Sequence, residues 1–119
     1  MFLENTLNFN KQTGWIEVVC GSMFSGKTEE LIRRIRRAQY ANLNVIIFKP
    51  KLDTRDKKNT VVSHDGTVIR CKTIKKSEEI YKRVKDCKVV GIDEAQFFDD
   101  GIVEVCNTLA NQGIRVIVA

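Results

Sequence analysis

Two short stretches carry residues whose types and spacing suit phosphate chemistry. The first is Gly21-Ser22-Met23-Phe24-Ser25-Gly26-Lys27-Thr28, a G-x-x-x-x-G-K-T pattern. Its two glycines let the backbone wrap so that several N–H groups point at one anion. Lys27 is long enough to reach β- and γ-phosphates, and the Thr28 hydroxyl suits Mg²⁺. The helix expected to begin here adds the partial positive charge of its N-terminus. The second stretch is Val89-Val90-Gly91-Ile92-Asp93-Glu94. It reads as a buried strand with two carboxylates at its C-terminal end, the edge where open parallel sheets bind ligands. A phosphate loop needs a carboxylate to help hold its metal, which Asp93 suits. Glu94 is then placed to accept a proton from an attacking hydroxyl or from water. A blander alternative makes both acids N-terminal caps of the next helix. The pairing of the acids with the loop favours the metal site. The chemistry is displacement at a γ-phosphate of Mg²⁺-ATP, with the acceptor left open: water for an ATPase, a small-molecule hydroxyl for a kinase.

The elements around these stretches suit such a site. Trp15–Cys20 is a β-branched apolar run ending at Gly21, a buried strand entering a turn. Lys27–Ala41 follows as an amphipathic helix, with Leu31, Ile32, Ile35 and Ala38 forming one stripe. Glu29 and Glu30 sit in its first turn and arginines towards its end, as the helix dipole favours. Asn44–Pro50 is a second buried strand, and Lys51–Asn59 is too charged for a core. Thr60–Ile74 reads as two short strands around an Asp65-Gly66 turn. Ser77 is the candidate N-cap of a short helix over 77–86. Cys87–Ile92 is the third buried strand, Asp99–Gln112 a helix with Ile102, Val105, Cys106 and Leu109 inward, and Ile114–Ala119 the last strand. This alternation predicts an α/β fold, a parallel sheet flanked by helices with a small β-hairpin insertion. The expected organisation is a polar tail over 1–14 and one core over 15–119.

Bulk composition agrees. A chain of 119 residues, 43% apolar and 29% charged, is neither disordered nor fibrous in type. Its net charge of +5 suits an anionic ligand or nucleic acid without separating them. No apolar run reaches the roughly 18–20 residues of a membrane span. No secretory leader is visible, and the expected compartment is the cytoplasm. Cys20, Cys71, Cys87 and Cys106 lack C-x-x-C spacing, so they read as small apolar residues, with no zinc site expected from them. His64, the sole histidine, reads as an exposed hairpin residue.

The stretches GWIEVVCGSMFSGKTEELIRRIRRAQYA, VIIFKPKLDTR, SHDG, VVGIDEAQFF and GIRVIVA together resemble the type II thymidine kinases, a RecA-like cytosolic family. The resemblance runs from about Gly14 to Ala119. It implies a P-loop NTPase fold and ATP-dependent phosphorylation of the thymidine 5′-hydroxyl. It also implies that Ser22, Met23, Phe24 and Ser25 wrap the ATP phosphates, that Lys27 and Thr28 serve ATP and Mg²⁺, and that Asp93 is the metal-side acid. Glu94 is the implied catalytic base, with Ala95 a small residue kept for close packing. Phe97 would pack on thymine and Met23 wall the nucleoside pocket. Asp53 and Arg55 would lie near the transferring phosphate, and Gln96 would face the same pocket. The family forms tetramers, and its chains continue beyond the strand matched by IRVIVA into further nucleoside-binding segments and a zinc-binding portion. Those segments have no counterpart here. The main rival is a helicase-like, nucleic-acid-stimulated ATPase, since DEAQ resembles that class's acidic motif and Arg33, Arg34, Arg36 and Arg37 form a basic run. Those arginines lie off the apolar stripe, and one domain's length leaves no room for a second RecA-like lobe. The expectation is therefore no nucleic-acid and no membrane partner. A further alternative is a nucleotide-binding chain without activity.

Overall fold

The structure is a computed structural model and describes residues 14–21, 26–52, 60–62 and 68–119. Five strands make one parallel sheet: β1 (Ile16–Val18), β2 (Val45–Pro50), β5 (Lys72–Ile74), β6 (Val89–Ile92) and β7 (Arg115–Val118), in the order β1-β7-β6-β2-β5. The pairing register sets Ile16 beside Val116, Ile92 beside Val118 and Phe48 beside Ile92. Every strand therefore ends at one edge of the sheet. β3 (Thr60–Val62) and β4 (Val68–Arg70) form a separate antiparallel pair. The α/β architecture with a hairpin insertion is thus the observed one.

Strands covered on both faces need apolar side chains pointing both ways. β6 satisfies this with all four residues buried. One core packs Phe48, Val90, Ile92 and Val116 against the second helix, α2 (Ile102–Asn111), through Val105, Cys106 and Leu109. The opposite core packs Ile47, Val89 and Ile117 against the first helix, α1 (Lys27–Tyr40), through Leu31, Ile32 and Ile35. Gly91 makes that second contact close. A Cβ there would lie 3.0 Å from Ile35 Cδ1 and 3.3 Å from Ile47 Cγ1. The stripe read in α1 is the buried one, and its acidic first turn is present. Its end is closed by Asn42 in the left-handed region, with Leu43 N–H donating to the Ala38 carbonyl at 3.1 Å. That is a Schellman-type stop.

Three local expectations change. Ser77 does not cap the helix it precedes. The segment Ser77–Lys82 is a 3-10 helix that starts after Lys76. Glu79 reaches back to accept the N–H groups of Lys75 and Lys76, each at 2.8 Å. Ser77 is buried instead, and its N–H and hydroxyl donate to the Asp99 carboxylate at 2.9 and 2.8 Å. This engagement holds Asp99 outside α2, which begins at Ile102 rather than Asp99. Finally, the expected second hairpin strand is two strands: β4 pairs with β3, whereas β5 crosses to the main sheet beside β2. Residues 1–13, Asp65-Gly66 and His64 lie outside the described residues.

Candidate active site

The C-terminal edge of the sheet gathers the chemistry. β1 leads to Cys20 and Gly21, and Gly26 precedes α1, which starts at Lys27. Gly26 has φ 88°, a left-handed conformation that ordinary side chains avoid, and its carbonyl accepts the Glu30 N–H at 3.0 Å. A Cβ at Gly26 would meet only Glu29 Oε2, at 3.6 Å, so the backbone angle and not crowding requires glycine here. Lys27 and Thr28 occupy the first two helical positions. A cavity of about 410 Å³ opens beside them, lined by Val19, Cys20, Gly26, Lys27, Glu29 and Arg33 among others.

Asp93 and Glu94 stand one strand away, since β7 separates β1 from β6. Asp93 is 7% exposed, and its N–H donates to the Phe48 carbonyl at 2.9 Å. Burial first, and then the charge of Glu94, push its carboxyl up to about 6. The Glu94 N–H and the ammonium groups of Lys49 and Lys27 work against that rise. Lys27 and Asp93, read from two separate motifs, thus stand at the same edge of the sheet. A carboxylate held out of water, with no fully compensating partner, suits a divalent cation. Among the described residues, Thr28 and Asp93 are the two that the sequence assigns to such a cation.

Glu94 has φ 54° and ψ 43°. The other non-glycine residues with positive φ among those described are Asn42 and Asp86. Asparagine and aspartate enter this region readily because their short polar side chains bond locally; glutamate does not. The turn is locked from outside: Ala95 N–H donates to the Ala119 carbonyl at 3.1 Å, and Ala95 packs against the core. Gln96 Nε2 donates to Glu94 Oε2 at 3.1 Å. Phe98 is buried at 8% exposure while its neighbour Phe97 stays 53% exposed. One aromatic thus anchors the segment and the next is free to meet a planar ligand.

Gly21, Gly26, Lys27, Thr28, Asp93, Glu94, Ala95, Gln96 and Phe97 all lie along this edge or in the turn beyond it. Ser22, Met23, Phe24, Ser25, Asp53 and Arg55 lie outside the described residues. Lys49 was not singled out from sequence, although a lysine inside an apolar strand just before its end was a usable signal. Of the four cysteines, Cys71, Cys87 and Cys106 are buried as expected, whereas Cys20 is exposed beside the loop. Burial pushes the Cys106 thiol up to about 11, which suits packing rather than reactivity. In the basic run, Arg34 is bound to Glu17 and Glu30, each at 2.8 Å, and Arg33 also pairs with Glu30. Arg36 and Arg37 are exposed. Among the described residues no helix is long and apolar enough to cross a membrane.

A family model described as thymidine kinase matches residues 14–119. The chain is 54% identical over all 119 residues to a thymidine kinase of Bacteroides fragilis, and 55% identical over the same length to one of Bacteroides thetaiotaomicron. A thymidine kinase of Rhodothermus sp. is 56% identical over 113 residues, 95% of this chain and 53% of that protein. The chain spans 60% of the length of the two Bacteroides relatives. Identity at this level over the whole chain, joined to a phosphate loop and a buried strand-end acid on one sheet edge, places it plainly: this chain belongs to the thymidine kinase family.

Proposed function

We propose that the chain is the phosphate- and metal-binding part of an enzyme that transfers the γ-phosphate of ATP to the 5′-hydroxyl of thymidine, giving dTMP for deoxynucleotide salvage. The observation that supports the reading is that Lys27, at the start of α1, and buried Asp93, at the end of β6, stand at one sheet edge. Family membership supplies the acceptor.

In this reading the backbone of Gly21–Gly26, with Ser22, Met23, Phe24 and Ser25, wraps the triphosphate, and Lys27 neutralises its β- and γ-oxygens. Thr28 and Asp93 would hold Mg²⁺, which would supply positive charge to the β- and γ-phosphates. Glu94 takes the proton from the 5′-hydroxyl. The freed oxygen pair forms the new P–O bond as the bond to the β-phosphate bridge breaks, and ADP leaves. Gln96 orients Glu94, a role supported by their hydrogen bond. Phe97 stacks on the base, an edge-exposed ring suited to that work, with Met23 beside it. Arg55 and Asp53 approach the transferring phosphate. The core over 15–119 works as one unit. The assembled protein is a cytoplasmic homotetramer, and structural zinc belongs to the portion that the longer relatives carry beyond this match.

The test is transfer of label from γ-labelled Mg-ATP to thymidine, with Lys27→Ala as the blank. Labelled dTMP above the blank is the expected result. Label released only as phosphate, independent of thymidine, would replace the kinase with an ATPase.

A further inference from the structure

We propose that Lys49 is a second phosphate-site cation, which contacts the γ-phosphate from the side of β6 opposite Lys27. The proposal rests on the reading of this edge as a Mg-ATP site.

The geometry begins with register. Phe48 lies beside Ile92, and the Asp93 N–H donates to the Phe48 carbonyl, so Lys49 and Asp93 leave their strands as neighbours. Alternation then fixes the face. Ile47 and Gly91 both meet α1, while Phe48 and Ile92 point into the opposite core. Lys49 is two residues beyond Ile47, and Asp93 two beyond Gly91, so both return to the α1 face. That face holds the start of α1 and Lys27. Lys49 is half-buried there.

Strand order sets the two lysines apart. Lys27 arrives from β1, and β2 lies on the other side of β6 from β7 and β1. A divalent cation held by Asp93 would neutralise that carboxylate, and both ammonium groups would then face the phosphates around the metal. Lys27 is tied by its loop to the β–γ bridge. Lys49, one strand further on, meets the terminal phosphate, the group that ADP lacks. A charge-assisted hydrogen bond to phosphate contributes enough to separate the two nucleotides by about tenfold to a hundredfold.

Two measurements test this. The first is calorimetric titration of the chain and of Lys49→Met with the Mg²⁺ complexes of ADP and of a non-hydrolysable β,γ-imido ATP. Binding of the imido analogue is expected to weaken about tenfold or more while ADP stays within about twofold. Lys49→Arg keeps the charge and should recover most of the difference. Equal losses for both nucleotides would make Lys49 a structural residue and overturn the proposal, as would no loss for either. The second uses the unaltered chain, so it stands even where Lys49→Met fails to fold. Lysine acetylation read by peptide mass should show Lys49 shielded by the Mg²⁺-imido analogue and not by Mg²⁺-ADP. Equal labelling in both states overturns the proposal but leaves the nucleotide site standing. An unaltered chain that binds neither nucleotide removes both.

Discussion

Glu17 and Asp93 are two carboxylates on one sheet, and their surroundings drive them in opposite directions. Glu17, on β1, accepts from Arg115 and Arg34, the latter at 2.8 Å, and from Trp15 Nε1 at 2.7 Å. The guanidinium of Arg115 over the Trp15 ring completes the cluster. These donors, Arg115 foremost, hold the Glu17 carboxyl at about 2. Asp93 sits deeper and is pushed up to about 6 by burial and by Glu94. The first carboxylate has its partners within the fold and joins β1, β7 and α1. The second is left short of positive charge, beside a glutamate in a left-handed backbone. A stable fold gains from the first arrangement and is weakened by the second, so the second calls for a ligand to explain it.

The sharpest way to separate the two regions is activity. Glu94→Gln keeps the size and hydrogen-bonding reach of the side chain but removes the proposed base. Thymidine phosphorylation is expected to fall about 10²- to 10⁴-fold with Mg-ATP affinity nearly unchanged. Glu17→Gln should leave turnover per folded molecule as it was. Steady-state kinetics on both variants decides this; equal losses would erase the distinction.

Asp93→Asn tests the cost of the buried charge. The folded pKa of Asp93 lies above its unfolded value, so the folded state binds this proton more tightly. Stability is therefore lost as pH rises from about 4 to about 6, by roughly 2–3 kcal/mol once complete. The asparagine variant carries no such charge. It should be about 2 kcal/mol more stable than the parent at pH 8 without ligand, match it near pH 4, and lose Mg-ATP-dependent transfer. Urea titrations at the two pH values check the sign. A variant less stable than the parent at pH 8 would mean that the lysines more than offset the burial.

Much of this was legible beforehand, for a physical reason. VIIF, VVGI and VIV (116–118) are continuous apolar runs because central parallel strands are buried on both faces. The i, i+3, i+4 stripe of α1 survives because one long face meets the sheet. The phosphate loop and the acid pair announce themselves because their chemistry restricts residue type. What was hidden depends on partners far along the chain. Ser77 looks like a cap until Asp99, 22 residues on, takes both its donors. Lys72–Ile74 looks like the tail of a hairpin until β2 claims it as a neighbour. Lys49 gains meaning only when β2 lies against β6, and local pattern does not encode strand order.

Glu17→Gln probes the other pole of the comparison. Its folded pKa lies below the unfolded one, so its contribution is present above about pH 4.5 and lost as pH falls towards 2. With allowance for partial exposure, the variant should lose about 1–2 kcal/mol at pH 7. Its acid limb should also be flatter than the parent's, since part of what acid removes is already gone. Acid denaturation followed by circular dichroism reads both. An unchanged acid limb would assign the parent's loss to other carboxylates.

The smallest effect concerns the backbone of Glu94 alone. Its φ of 54° costs an ordinary side chain about 1–2 kcal/mol, and glycine takes the angle freely while making the unfolded chain more disordered. Glu94→Gly should therefore gain about 0.5–1 kcal/mol in stability as activity disappears. Asn42→Gly and Asp86→Gly are the controls. They share the left-handed angle, at φ 62° and 61°, but lie away from the acid pair and carry residues suited to it. Their gain should be smaller than that of Glu94→Gly, because less strain is there to relieve. Thermal melts of the three variants rank them. If all three gain alike, the Glu94 angle is an ordinary turn. If only Glu94→Gly gains, the fold holds that carboxylate in a conformation that it would not otherwise choose, as a group positioned for proton transfer requires.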